Sequence, residues 1–404
     1  MKTLSRRAFL SACAPAVAAA QGRSSGRGSR FENRAAVAPD ALTERLIYRL
    51  TPAGSLHHLP HYHHRFLSRK NSFLLVGSER TGSRQIFRLD LSRPQMLQLT
   101  EGPGVHTYSA TLDDKERRVF FLQGNDLNHV SAGGGRPRRI YRAESGWRAT
   151  GHLAVSGSDR HAAVVEMREE DWADGFEEQF AKRPRCRIQL VDLRSGQGRL
   201  LVGGNQWLAH PQFRPGADEL LYCHEGPWEK VDRLWLMRPD ASGPRNLRPR
   251  QGAERVGHEY WSGLGEEVCY VHYPDASGRG ATVRCVNVTS GEERTVSRCT
   301  RFGWLSANDD NSVIVGASSS LAGPNIYVLF SRLQREITIC EHASSGKPYP
   351  IAGTDQTDPW ASAPEPVFSH DSRWIYFVSD REGLPAVYRV AVPDLVEATE
   401  REET

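Results

Sequence analysis

No apolar run reaches the roughly 18 residues that a membrane-spanning helix needs. No Cys-x-x-Cys pair occurs, which argues against a zinc knuckle. The Gly-x-Ser-x-Gly elbow of α/β serine hydrolases is missing, as are a P-loop and a dinucleotide fingerprint. Strong charge of one sign is missing too. The net charge of +4 falls to +1 once Lys2, Arg6 and Arg7 leave with an N-terminal segment expected to be removed. The cationic footprint that nucleic acid requires is therefore not expected. Only four Met occur among 404 residues, against 36 Gly and 23 Pro, a balance that suits a turn-rich β protein better than a helical one. What is present, 39% hydrophobic and 25% charged residues, is enough to bury a core and excludes wholesale disorder.

The first 20 residues read as an address. Ser5-Arg6-Arg7-Ala8-Phe9-Leu10 has the form of a twin-arginine export signal, followed by an apolar stretch to Ala20. Cleavage is expected near Ala18-Ala19-Ala20, with lipidation at Cys13 in Leu10-Ser11-Ala12-Cys13 as the alternative. The mature protein is expected in the periplasm or outside the cell. Residues 21–40 read as a flexible lead-in and 396–404 as a charged tail. Six cysteines remain after cleavage. Most sit in apolar runs such as Val268-Cys269-Tyr270 and Ile339-Cys340, which reads as plain buried thiols, although export permits disulfides.

One unit recurs between 41 and 395. An apolar run leads through a turn to a second alternating run, as in Phe73-Leu74-Leu75-Val76 followed by Gln85-Ile86-Phe87-Arg88-Leu89. Equivalent pairs begin at Val119, Ala163, Leu220, Val268, Ser312 and Trp374. The period-two alternation and regular spacing predict an all-β, single-domain, seven-bladed β-propeller. Leu46-Ile47-Tyr48-Arg49-Leu50 is expected to pair with the last blade and close the ring. Only 165–185 can hold a short helix, read as an exposed excursion.

Candidate chemistry clusters in few places. His57-His58-Leu59-Pro60-His61-Tyr62-His63-His64 is the densest imidazole group; it reads as an exposed loop, with a local metal trap as the alternative. Asn205, Gln206, His210 and Arg214 fall in one polar–aromatic string, His224 ends a strand, and Arg233 starts the next. His258 begins His258-Glu259-Tyr260-Trp261, one blade on from His210. Corresponding strand ends would bring these side chains to the mouth of the channel. Trp207, Trp235 and Trp261 read as blade packing.

The string from Asn205 to Arg233, the His258-Glu259-Tyr260-Trp261 block, Glu166 to Trp172 and the run Cys186 to Leu193 resemble the oligogalacturonate lyase family. The resemblance implies β-elimination on short α-1,4-linked galacturonate oligomers from pectin. It also implies that His258 is the base that removes the C5 proton, and that Arg233 holds the substrate near it. Asn205, Gln206, His210, Arg214 and His224 are then expected to bind substrate.

The family is expected to hold manganese with three histidines and a glutamine. The matching positions here are Arg301, Ala363, Glu365 and Trp360, so no metal site is expected there. In one reading Arg301, oriented by Glu365, supplies the charge that the metal supplied. In the other the protein binds uronic oligosaccharides without cleaving them, or acts on a different uronate. The string Phe368 to Arg381 also resembles the repeat of periplasmic interaction propellers, which reports blade architecture alone.

Overall fold

Runs of this kind pair as antiparallel neighbours, and because each blade packs between two others the central strands bury both faces, as Phe73–Ser78 does. Phe73–Ser78 pairs with Gln85–Asp90, Phe73 opposite Asp90 and Ser78 opposite Gln85. In a computed structural model that describes residues 26–33, 35–93, 95–240, 242–318 and 323–392, seven such sheets of four or five strands make a propeller. The expected leader, 1–20, and tail, 396–404, lie outside the described residues. The innermost strands of blades one to six are His57–His58, Val105–Leu112, Trp147–Val155, Leu208–Phe213, Arg255–Trp261 and Phe302–Ala307; blade seven has Val367–Phe368. Apolar faces of neighbouring blades form the core. One cluster joins Leu74, Val76 and Phe87 of blade one to Leu112 and Phe121 of blade two and Tyr376 of blade seven.

Blade seven closes the ring with the N-terminal chain, as expected. Leu46–Arg49 pairs with Ala386–Ala391, Ile47 opposite Val390 and Arg49 opposite Tyr388. The lead-in is shorter than the sequence reading had it. Arg30–Glu32 pairs with Gln95–Leu97 at the rim of blade one, and Ala36–Pro39 adds a further strand beside Leu46–Arg49. Backbone pairing orders both segments although most of their side chains are exposed.

The 165–185 excursion holds a single turn, Glu169–Asp171, and the short helix Phe176–Ala181. Among the described residues no helix is long and apolar enough to cross a membrane. The reading of plain thiols needs a correction. Cys269 and Cys285 face each other on adjacent strands of blade five, 4.0 Å apart at Cα, and form a disulfide. Cys186, Cys223 and Cys340 are free and buried.

A marker repeats in every blade. Just past the innermost strand, a backbone N–H donates to the carbonyl five residues on: Ser68 to Phe73, Asp113 to Arg118, Ser156 to His161, Arg214 to Glu219, Ser262 to Glu267, Asn308 to Val313 and Ser369 to Trp374. Four residues before each donor stand His64, Ser109, His152, His210, His258, Trp304 and Glu365. The fold thus brings residues far apart in sequence to one level of the channel.

Candidate functional site

At that level the innermost strands are bulged. The pairing register slips across His210 in blade four and His258 in blade five, and just before Leu153 in blade three. His210, His258 and Glu365 take left-handed backbone angles, φ +49°, +54° and +35°, and Gly151 does so beside His152. A bulge of this kind turns a side chain out of the sheet pattern and re-aims it. Here it aims imidazoles into the channel. Gly257 is required beside His258, because a Cβ there would lie 2.3 Å from the Trp228 indole.

The His258 ring sits among Trp228 at 5.3 Å, Tyr62 at 6.0 Å and Trp304 at 6.4 Å. Burial, with the Arg233 charge assisting and Glu259 opposing, brings its pKa down to about 3. It is therefore a neutral proton acceptor. Glu365 is its complement: burial and the Asp358 charge push its carboxyl up to about 8, so it carries a proton at neutral pH.

Arg233, read from the sequence as a hold on substrate, has other partners. It is buried, with Nη1 2.8 Å from Glu225 Oε1 and Nε 3.4 Å from Glu259 Oε2. Glu225 also meets His210 Nε2 at 3.1 Å. Burial raises the Glu225 carboxyl, but the Arg233 charge and the His210 hydrogen bond outweigh it and hold the group well below the usual range. Arg233 thus ties blade four to blade five and fixes the residue that follows His258.

The His57–His64 segment is not an exposed loop. His57 and His58 are buried, and His64 is 8% exposed. Residues 59–66 interrupt the innermost strand of blade one, between the pair His58–Gly77 and the bridge Leu67–Leu74, and turn inward across the channel. His61 N–H donates to the Tyr108 carbonyl of blade two. His64 Nε2 meets the Leu153 carbonyl of blade three at 2.7 Å, and the Tyr62 hydroxyl donates to the Glu259 carbonyl of blade five at 2.9 Å. His61 stacks on Tyr108 at 5.3 Å and on His152 at 5.4 Å. His57 lies apart, its Nε2 3.1 Å from Ser55 Oγ.

Of the other expected residues, His210 joins this group, and the rest do not. Asn205 and Gln206 are exposed in a bend before the innermost strand of blade four. His224 stacks on Trp235 at 4.4 Å. Arg214 pairs with Glu219 at 3.1 Å, in the turn beyond that strand. Arg301 is exposed and packs against Gly278. The charge that acts on Glu365 is Asp358 rather than Arg301.

Arg301, Trp360, Ala363 and Glu365 offer a guanidinium, an indole that is 57% exposed, a methyl and one carboxyl that keeps its proton. This set does not fit a manganese ion. Among the described residues His210, Cys223 and Glu225 bring donor atoms together, but Arg233 already sits on Cys223 and Glu225. Glu267, Cys269 and Cys285 also converge, but the disulfide takes both thiols.

Sequence reasoning passed over His152, Tyr62 and Tyr108, and read His61, His63 and His64 as an exposed loop. The repeat marker finds His64 and His152, because both fall four residues before a recurring donor.

The family profile for oligogalacturonate lyase matches residues 27–396. An oligogalacturonate lyase of Dickeya dadantii is 28% identical over 381 residues, covering 88% of this chain and 96% of the relative. An oligogalacturonide lyase of Pectobacterium atrosepticum is 28% identical over 379 residues, with the same coverage. Among solved structures, an oligogalacturonate lyase in complex with manganese superposes with TM-score 0.87 at 28% identity, covering 92% of this chain and all of that one. The oligogalacturonate lyase of Vibrio parahaemolyticus superposes with TM-score 0.84 at 26% identity, covering 91% and 99%.

Proposed function

The chain belongs to the oligogalacturonate lyase family, and from that premise we propose that it is an exported enzyme that cleaves short α-1,4-galacturonate oligomers by β-elimination. One observation carries the reading. His258 stands in a left-handed bulge on the innermost strand of blade five, and burial keeps its ring neutral and able to accept a proton. In this scheme the acceptor nitrogen of His258 takes the proton from C5, next to the uronate carboxylate, and the bond to O4 breaks. Glu365, a neutral acid on the same channel, gives its proton to the departing oxygen. The low pKa of His258 belongs to the empty site. An arriving uronate carboxylate favours the protonated ring, so substrate itself strengthens the base. Arg233 is a positioning residue here, acting through Glu225 and Glu259.

The test is a lyase assay on trigalacturonate, followed by the ultraviolet absorbance of the new C4–C5 double bond. His258→Asn is expected to lower kcat by roughly 100- to 10,000-fold with folding intact. An unchanged rate would remove His258 from the chemistry. A second reading, binding without turnover, is favoured by the donor-poor set Arg301, Trp360, Ala363 and Glu365. It predicts that the native chain binds trigalacturonate yet produces no absorbance.

A further inference from the structure

The residues that stand four before the repeating turn are His64, Ser109, His152, His210, His258, Trp304 and Glu365. Every one but Trp304 carries an ionisable group or a hydroxyl. Trp304 alone is chiefly apolar. It stands on the innermost strand of blade six, Phe302–Ala307, at the level of His258 in blade five and Glu365 beside blade seven. The register of that strand slips between Phe302 and Trp304, which leaves Gly303 as an extra residue and turns the indole out of the sheet pattern. Part of the ring packs against the core between blades six and seven, and the residue remains partly exposed.

The indole lies beside the base of the proposed reaction. Its ring is 6.4 Å from that of His258, tilted by 47°. Trp228, from the loop after Leu220–His224, meets the same imidazole at 5.3 Å and an angle of 77°. A large aromatic face left partly exposed among polar side chains favours an apolar partner over water. A uronate supplies one on a single side. In the galacto configuration the hydrogens on C3, C4 and C5 all lie on the same side of the ring, and the proton to be removed is among them. A base must approach from that side. The base and any surface that packs on this apolar edge are therefore neighbours on one wall, as His258 and Trp304 are. In the epimer at C4 the hydrogen on C4 lies on the opposite side, and the apolar edge is broken.

We propose that Trp304 is a specificity-determining residue of this site: its indole packs against the C3–C4–C5 edge of the galacturonate whose C5 proton faces His258, and so selects galacturonate over its epimer at C4. The inference rests on the lyase reading above and names the residue that recognises the sugar. C–H groups against an electron-rich ring make this contact, which suits the apolar edge of the sugar and leaves its carboxylate and hydroxyls to the polar side chains around the channel. Trp228 has a different part. It lies over Gly257, where a Cβ would come within 2.3 Å of the indole, and so backs the imidazole of His258.

The experiment measures affinity rather than turnover, by calorimetry on the full chain carrying His258→Asn. The ligands are trigalacturonate and α-1,4-linked triglucuronate, which differs in configuration at each C4. The His258→Asn chain is expected to prefer trigalacturonate. Adding Trp304→Leu, which keeps an apolar side chain against the core, is expected to weaken trigalacturonate binding roughly tenfold, the scale of one buried apolar contact. Triglucuronate binding is expected to stay the same, and Trp304→Phe to restore most of the loss. Undiminished trigalacturonate binding in the Leu variant, an equal loss for both sugars, or no trigalacturonate binding at all overturns the proposal. Should the Leu variant not fold, hydroxyl-radical footprinting of the His258→Asn chain decides: trigalacturonate is expected to protect Trp304 from oxidation, and unchanged oxidation overturns the proposal. The lyase assay on the native chain separates the two readings. No double bond formed while the Trp304 effects hold would remove elimination and keep the recognition; cleavage without any Trp304 effect would do the reverse.

Discussion

Arg233 is a buried cation held by two buried carboxylates, Glu225 and Glu259. Removing one partner from such a group leaves uncompensated charge in a poorly solvated place. Arg233→Met is therefore expected to destabilise the protein by about 3–5 kcal/mol. Urea unfolding measures this, and an unchanged midpoint would show that the network contributes nothing. The residues of this network were largely visible in the sequence, because Cys223-His224-Glu225, Arg233 and His258-Glu259 sit in distinctive polar–aromatic strings. What those strings conceal is direction. Arg233 has the right type to hold a uronate, but only the fold shows that its donors are already engaged. His152 was invisible for another reason. Thr150-Gly151-His152-Leu153 carries no motif, and its meaning lies in its phase against a turn in its own blade and in rings brought from two others.

Strands were the easiest elements to read, since period-two alternation is local. Whether a loop turns outward or inward is not local. Residues 59–66 carry five polar or aromatic rings, a composition that fits a surface loop as well as a plug. The pairing of His58 with Gly77 and the bridge between Leu67 and Leu74 leave eight residues against two, and the surplus goes into the channel. Cysteine pairing was likewise not local to any motif. Cys269 and Cys285 meet because Val268 to Val286 is a hairpin in register. The bridge closes a separation of 16 residues. By chain-entropy reasoning its loss is expected to cost about 3 kcal/mol. Comparing the thermal midpoint of Cys269→Ser/Cys285→Ser with that of the native chain measures it, and equal midpoints would mean that the hairpin holds without the bond.

At the scale of the whole molecule, ring closure joins residues 46–49 to 386–391, and the alternation of Leu46 to Leu50 already pointed to it. Ile47 and Leu50 are buried there. Burying two such side chains contributes about 3–6 kcal/mol. A chain that starts at residue 51 is expected to lose at least that much relative to one that starts at residue 26, as measured by chemical denaturation. Equal stability would mean that six blades and a three-stranded seventh suffice.

The same closure imposes an order in time. A ribosome adds roughly 5–20 residues each second, so the segment 36–49 emerges well before its partner at 386–391 is made. Until release, the nascent chain carries an open strand edge at its leading end, a natural template for wrong partners. Translation, rather than the folding of any single blade, sets the earliest moment at which this molecule can be whole.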